Sequence, residues 1–444
     1  MLIVFVFANL YYYFSLNIYG DFFHLVIVSN FLYILYYIIF SKHSLYVSPL
    51  HKAFIIILLI PPFSHVLVSI IFNKNPLFIY PNYLKNTMHQ IIIERVSYCI
   101  SLISMNLVLF FCNHIKLPAL KLFKKSSNKL LFFLFSLMTF LFSILSMIGN
   151  KAAIFTGNYA TGGESNFADI NAWNAMATIS FLFTIGYMDL NKKNQKIFLI
   201  INFLTAIILS SILFGKRADI VGLILVIIVI ILLKKINIYK LLIAIIISIS
   251  GYISFAITAY LRFFGVKNFN IIDILNDLNF LKNTDSFMLP SITDFYSTLP
   301  YVYSYLRFDS GTIWLGKSYF NAITTLLPSI INPFRIEESA TTFLQSTYWM
   351  FNGGMYFIAE IFFNFGITGV ILVPIFISLC FNYLINKTKK AITFIIILII
   401  IDGFPRWLYY GTSAFTKHLF LIFLFYFFGL CVKNIVGICC KEKD

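Results

Sequence analysis

Charge is what this 444-residue chain most lacks: only 11% of its residues are Asp, Glu, Lys or Arg. Soluble domains carry about 25%, so an ordinary water-soluble fold is excluded. Cysteine is sparse too. Cys99, Cys112, Cys380, Cys431, Cys439 and Cys440 fall in apolar runs or near the chain end, with neither a disulfide framework nor a spaced zinc-ligand set. No metal and no cofactor are expected from such a pattern. The opening residues, MLIVFVFANL, have no basic stretch and no small-residue cleavage site, so they are expected to remain as a first span.

What is present is apolar surface at membrane length. Hydrophobic residues make up 60% of the chain, and runs such as Ile220 to Leu233 and Leu241 to Tyr260 are nearly uncharged. At about 20 residues per crossing, the expected fold class is an all-α polytopic membrane protein of about twelve transmembrane helices. The expected spans lie near residues 1–18, 22–40, 50–72, 89–112, 130–149, 170–188, 197–214, 218–233, 241–260, 354–385, 391–405 and 413–432. One large segment, 261–352, separates spans nine and ten. It divides the chain into a bundle over 1–260, a loop over 261–352, and a terminal part over 353–444.

The formal charge of +16 is topological and does not call for nucleic acid. Nineteen of the 33 Lys and Arg residues fall in short segments on one expected face, among them Lys42, Lys52, Lys124, Lys129, Lys192, Lys193, Lys234 and Lys389. The long loop is nearly neutral, with 6 basic residues against 7 acidic ones. Basic residues in short loops mark the cytoplasmic side. Both termini are then expected inside, with 261–352 outside. The loop is too aromatic for a disordered spacer, and loops of this length are commonly functional. After it, about 33 apolar residues would extend about 50 Å as one helix. The part up to about Gly366 is therefore expected as a tilted or re-entrant helix at the outer surface.

Ionisable groups in or beside a bilayer are costly and become candidates for function. Lys216, Arg217 and Asp219 lie in FGKRAD, Arg262 closes span nine, Glu94 and Arg95 enter span four, and Glu360 follows the loop. Asp402 and Arg406 stand in DGFPRW, expected between the last two spans, and Lys417 opens the final one. Snorkelling or a local ion pair is the plain account of each, and it is preferred for Glu94, Arg95 and Lys417. For Arg217 and Arg262 a bound anion is preferred, because guanidinium forks match phosphate oxygens. Trp173 and Trp407 suit an interfacial belt; Trp314 and Trp349 suit either packing of the loop against the membrane surface or sugar stacking.

Taken together, the GKRAD turn, GKSYFNAITTLLPSIINPF in the loop and GGMYFIAEIFFNFGITGV after it resemble the O-antigen (oligosaccharide repeat-unit) polymerase family, Wzy-type. The similarity covers mainly residues 210–385. It implies a GT-C-like architecture and transfer of a growing glycan from undecaprenyl pyrophosphate onto a lipid-linked repeat unit. It also implies membrane lipid and a chain-length regulator as partners. On that reading Lys216, Arg217, Arg262 and Arg335 hold pyrophosphate. Glu360 is the base, with Glu338 or Asp294 as second choice and Arg406 in support. Three other activities compete. O-antigen ligases carry a functional loop histidine, and 261–352 has none. A lipid-linked oligosaccharide flippase needs a charged central cavity rather than a large loop. Transferases using polyprenyl-monophosphate sugars commonly place paired acids in the first outer loop, where Asp21 stands alone.

Overall fold

Apolar runs of this kind fold as helices because lipid offers the backbone no hydrogen-bond partners, so each segment must satisfy its own N–H and C=O groups. The structure is a computed structural model that describes residues 1–15, 21–40, 47–72, 87–112, 128–149, 170–188, 192–202, 217–232, 288–309, 311–324, 340, 343–344, 346, 354–386 and 391–441. Among these, all regular structure is helical: α1 (Leu2–Ser15), α2 (Asp21–Ile39), α3 (Pro49–Phe72), α4 (Thr87–Phe110), α5 (Lys129–Gly149), α6 (Ile170–Tyr187) and α7 (Lys193–Asn202). Then come α8 (Arg217–Leu232), α9 (Met288–Arg307), α10 (Lys317–Thr324), α11 (Phe357–Asn386), α12 (Ala391–Tyr410) and α13 (Thr412–Lys441). Polar side chains within the helices turn back on their own backbone. Asn9 bonds the Phe5 carbonyl, Ser97 that of Ile93, Asn106 that of Leu102 and Thr139 that of Phe135. This removes their cost in an apolar setting.

Among the described residues, four helices are long and apolar enough to cross a membrane: Phe22–Ile39, Ile91–Phe110, Phe357–Asn386 and Phe415–Asn434. The chain is a helical membrane protein. Helices α2 to α6 start and stop within two residues of the expected spans. The span expected at 241–260 lies outside the described residues.

Three elements depart from expectation. Residues 261–352 are not loop throughout: α9 runs Met288–Arg307 and packs against α3, α4 and α11. Its Tyr296, Leu299, Val302 and Tyr303 join the main buried core. Alternate polar residues hid this helix from a reading based on continuous apolar length. Next, DGFPRW does not separate two spans; it lies inside α12, with Pro405 in the helix. Proline is tolerated in membrane helices where neighbours and local adjustment satisfy the freed carbonyl. Lastly, the separate limb expected up to about Gly366 is present but packed inside the protein. Gly366 takes φ 60°, ψ −152° and breaks α11 in two, and Phe357 through Asn364 are all buried.

Phe54 of α3 lies 5.6 Å from Phe357 and 5.4 Å from Phe381. Both limbs of α11 therefore reach one ring, so the first limb doubles back as a re-entrant half-helix. The break is stabilised locally: the Phe363 carbonyl accepts from the Trp314 backbone N–H at 3.1 Å. After α12 the chain turns at Gly411, φ +90°, and descends as α13. Further along α13, Gly429 approaches Phe135 of α5 and Tyr187 of α6. Lys129, Lys192, Lys193 and Lys433 are exposed, and the first three flank that junction in sequence.

Candidate functional site

Glu360 lies in the first turn of the half-helix and is 4% exposed. A buried carboxylate needs partners, and this one has three donors from two other elements. The Ser318 hydroxyl on α10 donates to Oε1 at 2.9 Å. The Thr412 backbone N–H and hydroxyl, at the start of α13, donate to Oε2 at 3.0 and 2.8 Å. Two helix N-termini thus direct partial positive charge at one carboxylate. Asn364 extends the network, donating from Nδ2 to the Ser318 oxygen at 2.7 Å and to the Glu360 carbonyl at 2.7 Å. Its own carbonyl oxygen accepts from the Ser318 N–H at 3.3 Å.

Around this knot are groups with polar capacity to spare. The Tyr319 hydroxyl, Asn321 Oδ1 and Trp407 Nε1 are buried and accept or donate no hydrogen bond to the protein. Burial, followed by the nearby Glu360 charge, pushes the Tyr319 pKa well above its usual value, so its phenol stays protonated and can only donate or accept as O–H. Trp407 stacks on Phe415 at 4.4 Å and 4°, with Phe357 4.9 Å away. It is packed into the bundle, not spread along an interfacial belt.

Asp402 of α12 is buried where α8 crosses: a Cβ on Gly222 would come 2.4 Å from the Asp402 carbonyl oxygen. Arg217 begins α8 five residues before Gly222, about 7.5 Å along the axis. Its backbone thus lies on the helix that touches α12, the element ending beside Glu360. Asp294 belongs to α9, and Arg406 to α12 four residues before Tyr410. Lys216, Arg262, Arg335, Glu338 and Trp349 lie outside the described residues. Glu360 and Arg406 are therefore brought to elements of one neighbourhood.

Set against family models, curated proteins and solved structures, the chain has no match. The chemistry rests on its own residues.

A second polar cluster was not apparent from sequence. Glu94 and Arg95, expected to snorkel, point to different partners because adjacent helix residues diverge by about 100°. Arg95 Nη2 meets His24 Nε2 at 2.8 Å and lies 5.4 Å over the Phe23 ring. Glu94 turns inward: the Tyr98 hydroxyl donates to its Oε1 at 2.8 Å. The Tyr98 oxygen is then free to accept from His65 Nδ1, 2.5 Å away. This order of bonds is the one made by the Nδ1–H tautomer of His65, whose Nε2 is buried without a hydrogen-bond partner. Tyr296 of α9 packs 5.2 Å from the His65 ring and 5.9 Å from Tyr98. The spacing Glu94-x-x-x-Tyr98 carried the one available signal, since i and i+4 share a helix face. The partner on α3 was beyond sequence reach. Lys52, expected in a short cytoplasmic segment, is 1% exposed within α3.

Among the described residues, no group of three His, Cys, Asp or Glu side chains is arranged to hold a metal ion.

Proposed function

We propose that the chain is an O-antigen or capsule-type repeat-unit polymerase acting at the outer face of the bacterial cytoplasmic membrane. The observation that carries this reading is Glu360: a buried acid on a broken helix, held by the first residue of α13. Broken helices and buried acids in a membrane are costly and mark sites of chemistry or transport. The GKRAD turn opening α8 and the motif around Glu360 support the family assignment.

In this mechanism the acceptor sugar hydroxyl attacks the anomeric carbon of the donor glycan. The new C–O bond forms as the bond to pyrophosphate breaks, and undecaprenyl pyrophosphate departs with the electron pair. Arg217 and Arg262, with Lys216 and Arg335, neutralise the charge that develops on it. Glu360 takes the hydroxyl proton. To do so it exchanges its Ser318 bond for the acceptor hydroxyl; Ser318 stands on the eight-residue α10, the shortest of the elements holding the carboxylate. Glu338 or Asp294 is the alternative base, and a chain-length regulator would act as partner.

Polysaccharide banding in a deletion strain tests this reading. Complementation with wild type should restore a ladder, while Arg217→Ala, Arg262→Ala and Glu360→Gln should leave single repeat units at normal protein abundance. Full ladders from all three variants would place the chemistry elsewhere. A flippase is the second reading, favoured by the discontinuous α11 and by the buried Glu94–Tyr98–His65 relay. Loss of a flippase traps repeat units inside the cell, whereas loss of a polymerase leaves them displayed outside.

A further inference from the structure

We propose that residues 313–323 are seated in the lipid leaflet, their apolar side chains among the acyl chains, rather than in the water above it. The segment was expected in the large outer loop, with packing against the membrane surface as one account of its aromatic residues. Yet Leu315 is 83% exposed, Ile323 63% and Phe320 54%, an apolar display that water disfavours. Leu315 also takes φ 49°, a left-handed conformation unfavourable for leucine. The turn with Gly316 presents that side chain outward instead of folding it away.

The depth of the segment follows from what α10 packs against. The Thr416 hydroxyl of α13 donates to the Ala322 carbonyl at 3.1 Å. Thr416 lies one residue into the membrane-crossing stretch Phe415–Asn434. The exposed face of that stretch opens on Lys417, which suits the headgroup level, and runs on through Leu419 and Phe420 to Phe423, itself 65% exposed. Phe320 and Ile323 therefore extend a surface already committed to lipid. Lys317 supplies the polar edge, with Nζ 4.6 Å over the Trp314 ring, a pairing suited to the headgroup level. The opposite face of the same helix buries Ser318, Asn321 and Ala322, and Ser318 holds Glu360. An amphipathic helix of this kind lies in the interface plane. It would fix the depth of Glu360 relative to the bilayer.

The test is nitroxide accessibility in vesicles of phosphatidylethanolamine and phosphatidylglycerol. Single cysteines at Leu315 and Ile323 are labelled in a chain lacking Cys380, Cys431, Cys439 and Cys440; Cys99 and Cys112 are buried and stay. Phe423→Cys gives the lipid reference and Lys192→Cys the aqueous one. Oxygen accessibility relative to nickel chelate at 315 and 323 should rise above the Lys192 ratio toward the Phe423 one, as for side chains at the headgroup–acyl boundary. A ratio matching Lys192 overturns the proposal. Spin–spin broadening at 323 that vanishes on dilution with unlabelled chain also overturns it, in favour of a contact between copies. If the labelled chain does not reconstitute, hydroxyl-radical footprinting of the native chain decides. Phe320 should be protected in vesicles as Phe423 is, and oxidation of Phe320 in vesicles as fast as in the urea-unfolded chain would overturn the idea. Neither measurement needs activity, so the outcome is independent of the function proposed above.

Discussion

Replacing Glu360 by glutamine separates two roles of one side chain. A carboxamide oxygen can keep both Thr412 bonds, and its NH2 can donate to the Ser318 oxygen in place of accepting from it. The fold should therefore lose less than about 1.5 kcal/mol, the worth of one ordinary hydrogen bond, while proton acceptance is abolished. Thermal unfolding in detergent should show a small shift alongside a lost polysaccharide ladder. A retained ladder would leave Glu360 as a clamp between helices and nothing more. Ser318→Ala removes a donor to Glu360 and an acceptor for Asn364 together. It should cost about 2–3 kcal/mol, more than Thr412→Ser, which keeps both donors. Equal unfolding temperatures for Ser318→Ala and Thr412→Ser would contradict the bonding described.

At the scale of elements, the broken helix depends on one residue. Gly366 holds φ 60° with ψ −152°, a region open in practice to glycine alone. Gly366→Ala should cost about 1–3 kcal/mol and weaken the Trp314–Phe363 backbone bond. Hydrogen exchange at the Trp314 amide should then quicken relative to the Phe320 amide, which bonds within its own segment to Gly316. Unchanged exchange would mean the break is set by packing elsewhere. This break was legible in advance, because the apolar run was too long for one crossing and contained a glycine at the right place. Helix α9 was not legible, since Thr298, Tyr301 and Ser304 interrupt its apolar pattern and its burial comes from α3, α4 and α11. The partners of Glu360 were equally hidden: Ser318 and Thr412 stand 42 and 52 residues away, and no local spacing announces such contacts.

Across the molecule, two close helix crossings invite comparison. A Cβ at Gly186 would meet the Ile395 side-chain tip at 2.0 Å, whereas one at Gly222 would meet the Asp402 backbone carbonyl at 2.4 Å. A side-chain tip can rotate aside; a carbonyl in α12 cannot. Gly222→Ala should therefore destabilise more than Gly186→Ala, by about 1–3 kcal/mol of overpacking, read as the larger drop in unfolding temperature. The reverse order would show that α8 and α12 slide freely. The helical membrane class was legible in composition alone, because low charge and repeated apolar runs leave few other folds. The inward turn of Glu94 onto Tyr98 and His65 was not, because it needs α3 and α4 side by side.

The Thr412 bonds to Glu360 also have a consequence in time. A ribosome adding about 5–20 residues per second takes roughly 3–10 s to travel the 52 positions separating them. During that interval the nascent half-helix carries an acid that has its Ser318 donor but not the two from Thr412. Full anchoring of that limb is therefore a late event in biogenesis, completed only once the start of α13 has been made.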